Sequence, residues 1–273
     1  MRIAYLGPRG SNGEEALLAS TEVEEKDTIP CRTIDDVFKT VAVGVADQGI
    51  VPIENSIEGS VNATLDILAF ESDLLIEREI VWPVHHQLVV HPSIGGLSEI
   101  TTVTSHPQAI GQCRRWLETH LPEAPQQAAN STSEAVQRAV AEPGVAAIGT
   151  KLAAKLYGGR ILPEDIEDNR ENHTRFIMVG QQEMPASGRD KTSIVCFIHE
   201  DRPGMLLQIL SEFAFRNINL TKIQSRPTKK QLGSYCFFLD LEGHQTDLEI
   251  ADALKFLSMR LRQVKILGSY PRA

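Results

Sequence analysis

Over residues 1–180, short apolar runs alternate with amphipathic stretches, and this alternation limits the possible fold more than any other feature. The apolar runs 3–6 and 49–53 are typical of buried strands, because each is short and bounded by turn residues. Residues 34–41 between them repeat apolar side chains at helical spacing. Strands alternating with helices in this way predict an α/β region with mostly parallel strands.

Several of these runs lead into a helix start with a capping signature, in which Ser is followed three residues later by Glu or Gln. The three examples are Ser11 with Glu14, Ser105 with Gln108, and Ser131 with Glu134. Helix N-termini expose N–H groups, and in open α/β sheets they gather at the carboxyl ends of the strands, where ligands bind. These starts are therefore either ordinary caps or parts of an anion-binding edge.

The C-terminal third has a different pattern. Residues 181–191 form a polar segment with Pro, Ser and Gly, which predicts a linker between domains. Beyond the linker we expect strands and helices at 193–199, 203–215, 218–225, 235–241, 248–257 and 264–267. This order is βαββαβ, the ferredoxin-like arrangement, and it predicts a second domain over 192–270. Its first helix is expected to present one apolar face, made of Leu206, Leu207, Leu210 and Phe213.

Composition and charge exclude some classes of protein. The chain has 273 residues, 42% of them hydrophobic, which excludes a disordered chain and allows two or three domains. The formal net charge is −9, and an acidic chain without basic clusters is a poor nucleic-acid binder. The net field would also repel an anionic substrate, so a site for one must supply positive potential locally.

Cysteine spacing and hydropathy bear on the compartment. The four cysteines are scattered without a Cys-x-x-Cys pair, which predicts reduced, buried thiols. We find neither a leader-like start nor an apolar stretch near the ~20 residues that a membrane helix needs. The sequence therefore predicts a cytoplasmic location and no membrane partner.

Thr174 and Arg175 are the candidate functional pair, because they stand at the entry to an apolar run, 176–179, that reads as a buried strand. A hydroxyl donor and a guanidinium at the mouth of a sheet suit an anionic substrate that must receive a proton. In an extended chain Arg175 points away from Thr174, so a shared site requires a bend in the polar segment 169–173. Otherwise Arg175 is the partner in a structural ion pair.

These residues belong to a larger set of motifs along the chain. The set consists of Val51-Pro52-Ile53-Glu54-Asn55-Ser56, Ser105-His106-Pro107-Gln108 with Gln112-Cys113, Thr174-Arg175-Phe176, Arg202-Pro203-Gly204 and Gln224-Ser225-Arg226-Pro227. In this order and at these separations the chain resembles monofunctional prephenate dehydratases with a C-terminal ACT regulatory domain. Two positions depart from that family: Asn12 stands where an aromatic residue is usual, and Gln224 stands where Glu is usual.

The resemblance implies a fold for the first 180 residues. Two lobes of periplasmic-binding-protein type would lie at 1–78 with 168–180 and at 79–167, with the ligand in the cleft between them. The extended segment 81–90 would cross into the second lobe, and the chain near 167–174 would cross back.

The resemblance also implies an activity, the conversion of prephenate to phenylpyruvate, water and carbon dioxide. Thr174 would be the catalytic donor to the leaving hydroxyl group. The implied substrate-binding residues are Ser11, Glu54, Asn55, Ser56, Ser105, Gln112, Thr132, Arg175 and Phe176. For Glu54 two roles stay open: feeding a proton relay to Thr174, or pairing with backbone N–H groups.

For the ACT domain the resemblance implies control by L-phenylalanine at a seam between two copies, in a homodimer or homotetramer. The implied effector-binding residues are Pro203, Gly204, Met205, Leu206, Asn219, Gln224, Ser225, Arg226 and Pro227. The loss of charge at Gln224 would weaken the response. Arogenate dehydratase, or a non-catalytic sensor of an aromatic acid, is the alternative function.

We expect neither a cofactor nor a metal. The reaction gains its driving force from the new aromatic ring, and the sequence lacks a Gly-x-Gly-x-x-Gly motif. His85 and His86 are adjacent and would point to opposite faces of a strand.

Overall fold

The structure is a computed structural model, and it describes residues 1–200, 202–229 and 234–273. The chain divides into two compact units. The first unit comprises 1–61 with 80–176, and the second comprises 62–79 with 177–273. The boundaries predicted for the domains and lobes were drawn from sequence motifs and differ from this division, and they stay a prediction.

The elements, in chain order, begin with β1 (Ile3–Leu6), α1 (Asn12–Ser20), β2 (Thr28–Cys31), α2 (Ile34–Ala42), β3 (Gln48–Asn55), β4 (Gly59–Ser60), α3 (Asn62–Phe70) and β5 (Leu75–Pro83). The middle of the chain holds β6 (Gln87–Val90), β7 (Thr102–Ser105), α4 (Pro107–Gln112), α5 (Arg114–His120), β8 (Gln126–Ala128), α6 (Thr132–Ala141), β9 (Val145–Gly149), α7 (Lys151–Tyr157) and β10 (Arg160–Ile161). The last elements are β11 (His173–Gly180), β12 (Asp190–Phe197), α8 (Met205–Ala214), β13 (Leu220–Pro227), β14 (Tyr235–Glu242), α9 (Leu248–Arg260) and β15 (Gln263–Pro271).

The first sheet has the strand order β2-β1-β3-β11-β5, with β4 paired to β3. Strand β1 is parallel to both β2 and β3, as the alternation of strands and helices predicts. Helix α2 starts with a capping box between Thr33 and Asp36, which satisfies two backbone donors at once. Its apolar face then packs on the sheet, since Val37, Phe38 and Val41 are all buried.

The second sheet has the order β10-β6-β9-β7-β8 and lies wholly in the first unit. Strand β7 is parallel to β8 and β9, whereas β6 runs antiparallel to β9. A separate cluster of buried apolar residues accompanies this sheet on each face. Helix α6 lies so close to β9 that a Cβ at Gly149 would come within 2.4 Å of the Val136 side chain. The two-sheet α/β region is thus confirmed.

The third sheet has the order β13-β14-β12-β15, and its pairs are antiparallel. Helices α8 and α9 share one apolar core with it, which confirms the βαββαβ arrangement. The predicted apolar face of α8 was wrong at one position, because Leu207 is 67% exposed. Phe213 is buried as predicted, and Ile209, which was not part of the predicted face, is buried as well. The apolar pattern of this helix extends around more than one face, so spacing alone did not identify the inner one.

Segment 81–90 passes from one sheet to the other, because β5 ends at Pro83 and β6 starts in the other sheet at Gln87. Two other local predictions need correction. The helix expected to start at Ser105 starts at Pro107, and His106 caps it by accepting a hydrogen bond from the Gln108 N–H. The linker is shorter than 181–191, because β12 already begins at Asp190.

The cysteines and the helix lengths bear on the remaining predictions from composition. All four cysteines are free and buried, as the sequence predicted; they are Cys31, Cys113, Cys196 and Cys236. Burial raises the pKa of Cys236 to about 11, so this thiol stays protonated at neutral pH. Within residues 1–200, 202–229 and 234–273, every helix is too short or too polar to cross a membrane.

Candidate active site

Thr174 lies on β11, beside Asn55 at the end of the neighbouring strand β3. The Asn55 amide nitrogen donates to Thr174 Oγ1 at 2.9 Å, and Thr174 is only 8% exposed. The orientation of this amide is defined, because its oxygen accepts the backbone N–H groups of Ile57 and Glu58. Since the Thr174 oxygen already accepts a hydrogen bond, its own proton is directed elsewhere and can be donated.

Three amides and one ring continue this arrangement away from Thr174. Asn55 also donates to Asn172 Oδ1 at 2.8 Å, and Asn172 Nδ2 donates to Gln112 Oε1 at 3.0 Å. The same oxygen of Gln112 lies 2.8 Å from His86 Nε2, and Gln112 Nε2 donates to Glu58 at 3.3 Å. We call the connected residues the Thr174 network, namely Thr174, Asn55, Asn172, Gln112 and His86.

His86 is the most enclosed ring in this network, at 3% exposed. Burial lowers its pKa, against the opposing effect of the hydrogen bond to Gln112, so the ring is neutral. Gln112 Oε1 can only accept, which requires the single ring proton to be on Nε2. The backbone N–H of His86 donates to buried Glu167 at 2.9 Å, and this bond fixes the backbone position from which the ring extends.

Arg175 takes a different position from the one that a shared site would require. Strand β11 is continuous from His173, so Arg175 points to the face opposite Thr174. Arg175 Nη1 lies 3.8 Å from Glu54 Oε2, with the Arg175 side chain 11% exposed. The bend predicted before Thr174 therefore does not bring both side chains to one face, and the contacts favour the ion-pair alternative.

Phe176 and Ser11 lie near the start of α1. Phe176 is buried, and a Cβ at Gly13 would lie 3.6 Å from its ring. Ser11 is the N-cap of α1, where its hydroxyl accepts from the Glu14 N–H and donates to the Leu6 carbonyl. The predicted capping signature is confirmed here, and it uses both hydrogen-bonding capacities of the hydroxyl.

Ser56 binds the start of β11. Its hydroxyl accepts from the His173 N–H at 2.9 Å and donates to the Glu171 carbonyl at 3.2 Å. Thr132 is the first residue of α6, a helix that Ser131 caps as predicted. Both positions are compatible with a ligand at the sheet edge, and their substrate contacts stay predictions.

Ser105 is the last residue of β7 rather than a helix cap. It is fully buried, and its hydroxyl donates to the Ile148 carbonyl on β9 at 2.7 Å. This bond adds to the pairing of β7 with β9. A substrate contact for Ser105 stays a prediction that its burial does not favour.

One group among the described residues has the ligand types for a metal ion, namely His85, Asp165 and Glu167. Their ligand atoms lie within 4.8 Å of one another, but His85 Nδ1 already makes a 2.8 Å hydrogen bond to Glu167. Sequence spacing missed this group, because about 80 residues separate its histidine from its carboxylates. A histidine that pairs with a carboxylate is common without a metal, so we assign no role to the group.

In the second unit, Arg226 of the predicted effector motif is held by α3. Its guanidinium donates to Asp66 at 2.6 Å and to Asn62 at 2.7 Å, while Lys229 Nζ lies 2.7 Å from the other Asp66 oxygen. We call these four residues the Arg226 cluster. Burial would raise the pKa of Asp66, but hydrogen bonds from Lys229 and Arg226 lower it below its usual value.

The other predicted effector residues lie around the start of α8 and along β13. Gly204 has φ +86°, a conformation that favours glycine, and nothing lies within 4 Å of a Cβ built there. The positive φ therefore explains why a glycine occupies this position. Along β13 residues alternate between half-buried and exposed, so Gln224 shares the half-buried face with Arg226, and Ser225 and Pro227 are exposed. Pro203 and Asn219 are exposed, while Met205 and Leu206 are half-buried.

His86, Asn172 and Glu58 are site residues that the sequence did not predict. The position of His86 in an apolar segment was a usable signal, because a buried histidine needs a polar partner. Asn172 lay in the polar stretch 169–173, which we expected to bend rather than to bind Asn55. Nothing in the sequence identified these partners, since the bonds join residues up to 117 positions apart.

Comparison with known proteins matches two protein families along the chain. The prephenate dehydratase family profile matches residues 3–184, and the ACT domain profile matches residues 192–258. A bifunctional chorismate mutase/prephenate dehydratase from Stutzerimonas stutzeri is 40% identical over 275 residues, covering 100% of this chain and 74% of that protein.

Two solved structures extend the comparison. The crystal structure of a prephenate dehydratase from Arthrobacter aurescens in complex with L-Phe has a TM-score of 0.91 at 39% identity and covers 100% of this chain and 90% of that one. A structure described as GqqA, a quorum quenching acylase, has a TM-score of 0.90 at 28% identity and covers 100% of this chain and 98% of that one. The chain therefore belongs to the prephenate dehydratase family of lyases and carries an ACT domain.

Proposed function

We propose that the residues around Thr174 perform the decarboxylative dehydration of prephenate, with Thr174 as the donor to the leaving oxygen. The observation that carries this proposal is the 2.9 Å hydrogen bond from Asn55 to Thr174 Oγ1. This hydrogen bond uses Thr174 Oγ1 as an acceptor and leaves the Thr174 hydroxyl proton available for donation. The donor site thus needs no charged base, and the network around it is made of neutral groups.

The bond changes of the reaction explain why a neutral donor is enough. The ring carboxylate leaves as carbon dioxide, and its C–C bonding electrons enter the ring while the ring C–O bond breaks. The departing hydroxide takes one proton through the Thr174 hydroxyl and becomes water, and a proton from solvent water replaces it on Thr174. A Thr hydroxyl is too weak an acid to lose its proton early, so it donates a hydrogen bond that strengthens as charge develops on the leaving oxygen.

We propose that the substrate lies against Asn55, Gln112, Phe176 and the starts of α1 and α6. Helix N-termini supply positive potential without a mobile charge, which answers the repulsion expected from a chain of net charge −9. Arg175 contributes from the opposite face of β11, through its ion pair with Glu54. A dry, neutral surface near the ring carboxylate favours its loss as carbon dioxide.

We also propose that L-phenylalanine controls this enzyme through the ACT domain, in a homodimer or homotetramer. A relative of the same family was crystallised in complex with L-Phe, which supports the choice of ligand. The exposed residues Pro203, Asn219 and Ser225 are available for such a seam. The cytoplasmic location stays a prediction from the sequence.

The experiment is to incubate the purified chain with prephenate and, separately, with arogenate, and to measure phenylpyruvate and phenylalanine. Phenylpyruvate formed from prephenate supports the proposal. Phenylalanine formed from arogenate alone would instead support an arogenate dehydratase. Binding of either acid without turnover would indicate a sensor.

The acylase name of one structural relative suggests a further control. Acyl transfer needs a nucleophile next to a base, whereas the bond to Thr174 Oγ1 comes from an amide that cannot take a proton. A simple N-acyl amide should therefore remain uncleaved in the same assay.

A further inference from the structure

The amide of Gln112 is held in one orientation from three sides. Its oxygen receives Asn172 Nδ2 at 3.0 Å and His86 Nε2 at 2.8 Å, and its nitrogen donates to Glu58 at 3.3 Å. The last torsion of a Gln side chain is broad and nearly two-fold, so an amide has little preference of its own between its two orientations. The two donors that bind the Gln112 oxygen and the acceptor that binds its nitrogen select one orientation of the amide.

His86 is the rigid member of this arrangement. It stands in the connection between β5 and β6, is 3% exposed, and its backbone N–H is bound to Glu167. A ring packed in this way has no alternative rotamer at low cost. Gln112 lies on α4, which ends at that residue, and it has more freedom than the ring that contacts it.

Asn55 donates in both directions, through Asn172 toward Gln112 and directly to Thr174. Asn172 donates to Gln112, Asn55 donates to Asn172, and Asn55 donates to Thr174. If Gln112 turned its amide, Asn172 would face a second N–H group and would have to turn as well. Asn55 keeps its orientation, because its oxygen is bound by two backbone N–H groups, but its Nδ2 group would lose the Asn172 acceptor and would shift from its place beside Thr174 Oγ1.

We propose that His86 is a positioning residue: through Gln112, Asn172 and Asn55 it orients the Thr174 hydroxyl toward the leaving oxygen. This inference rests on the proposed function of Thr174. It requires no contact between His86 and the substrate.

The test compares kcat and KM on prephenate for wild type, His86→Leu and His86→Gln. Leu removes the donor, while Gln returns an N–H group at a similar reach. We expect His86→Leu to lower kcat about 10- to 100-fold, since a small misplacement of a catalytic group has that cost. We expect KM to stay within about threefold, and His86→Gln to recover most of the activity. His91→Gln is the control, because that ring bonds Ser93, outside the network.

A double-mutant cycle separates positioning from a general loss of packing. If His86 acts through Gln112, the double variant of His86→Leu and Gln112→Leu should have nearly the kcat of Gln112→Leu alone. Losses that multiply would overturn the inference. So would a normal kcat in His86→Leu, or a loss that His86→Gln does not rescue while all variants keep the wild-type melting temperature.

Nitrogen-15 NMR of histidine-labelled wild type gives a measurement that does not depend on the variants folding. The His86 ring should be neutral and protonated on Nε2, and protonation on Nδ1 alone would overturn the inference. Failure of the proposed function looks different: wild type would not convert prephenate, or Thr174→Val would be as active as wild type. An active wild type, an inactive Thr174→Val and a fully active His86→Leu would remove the inference and leave the proposed function standing.

Discussion

The Thr174 network and the Arg226 cluster are both polar and partly buried, but they are built from different interactions. The Thr174 network joins neutral amides, a hydroxyl and a neutral ring, in which each donor has a defined acceptor. The Arg226 cluster joins two cations to one carboxylate. Neutral hydrogen bonds depend on direction, whereas ion pairs depend on charge, pH and salt.

This difference indicates what each region can do. A network with one consistent set of donors can aim a proton at a reacting atom, and it adds no charge that would repel or trap an anion. A cluster of charges tolerates small shifts in geometry, so it can hold β13 against α3 during a change in the regulatory domain. Mutations that remove a directed hydrogen bond of the Thr174 network should therefore affect the rate. Mutations that remove a charge of the Arg226 cluster should affect the stability of the fold and its pH dependence.

Thr174→Val gives the largest expected effect, because it removes the donor and keeps the shape. We expect kcat to fall by roughly 10²- to 10⁴-fold with the fold intact. Thr104→Val is the matched control: Thr104 is also buried, and its hydroxyl has no hydrogen-bond partner among the described residues. That control should leave kcat within about twofold and stability unchanged or higher. A normal kcat in Thr174→Val would end the proposed mechanism.

Asp66→Asn tests the charged side of the comparison. It should lower the free energy of unfolding by about 2 kcal/mol at neutral pH, since two cations lose their partner and only Lys229 is well exposed. The folded-state pKa of Asp66 lies below its ordinary value of 3.8, so its contribution is complete above that pH. The contribution is lost as the pH falls through the folded pKa.

The measurement for Asp66 is thermal unfolding of wild type and Asp66→Asn between neutral pH and about pH 2.5. The two curves should converge at low pH. A constant difference at every pH would mean that the charge of Asp66 does not stabilise the fold.

Arg175→Lys tests whether Arg175 serves catalysis, as the Thr174 network does, or stabilises the fold through an ion pair, as the Arg226 cluster does. Because Arg175 pairs with Glu54 on the face opposite Thr174, we expect a stability loss of about 1 kcal/mol and a change in kcat/KM below about threefold. Glu54→Gln should give a similar stability loss. A large loss in kcat/KM with unchanged melting temperature would instead identify Arg175 as a clamp for a substrate carboxylate.

Gln224→Glu has the smallest expected effect. Gln224 shares the half-buried face of β13 with Arg226, so a carboxylate there adds charge beside the Arg226 cluster. We expect the affinity for L-phenylalanine to rise about two- to fivefold, or roughly 0.5–1 kcal/mol. Calorimetry of both proteins is the measurement. Equal affinities would show that charge at position 224 is irrelevant, and no heat from either protein would remove phenylalanine as the effector.

Sequence patterns were most informative where the interactions are local. The caps at Ser11 and Ser131, the strand at 3–6 and the βαββαβ order all depend on residues a few positions apart, and each was predicted. Ser105 and Leu207 were misjudged because a cap signature and an apolar repeat are also compatible with a neighbouring start or face. In those cases the packing of the sheet selected between two locally equivalent solutions.

The sequence by itself determined the α/β class, the C-terminal ferredoxin-like domain and, through its motifs, the identity of Thr174 as the candidate donor. The first two follow from periodicity and from residue types at short range, and the third from the resemblance of the motifs to a known family. Only the tertiary structure decided which side chains meet. It paired Asn55 with Thr174, turned Arg175 to Glu54, and enclosed His86 against Gln112. A hydrogen bond between residues far apart in the chain leaves no spacing signal, because its geometry exists only once the strands and helices have packed.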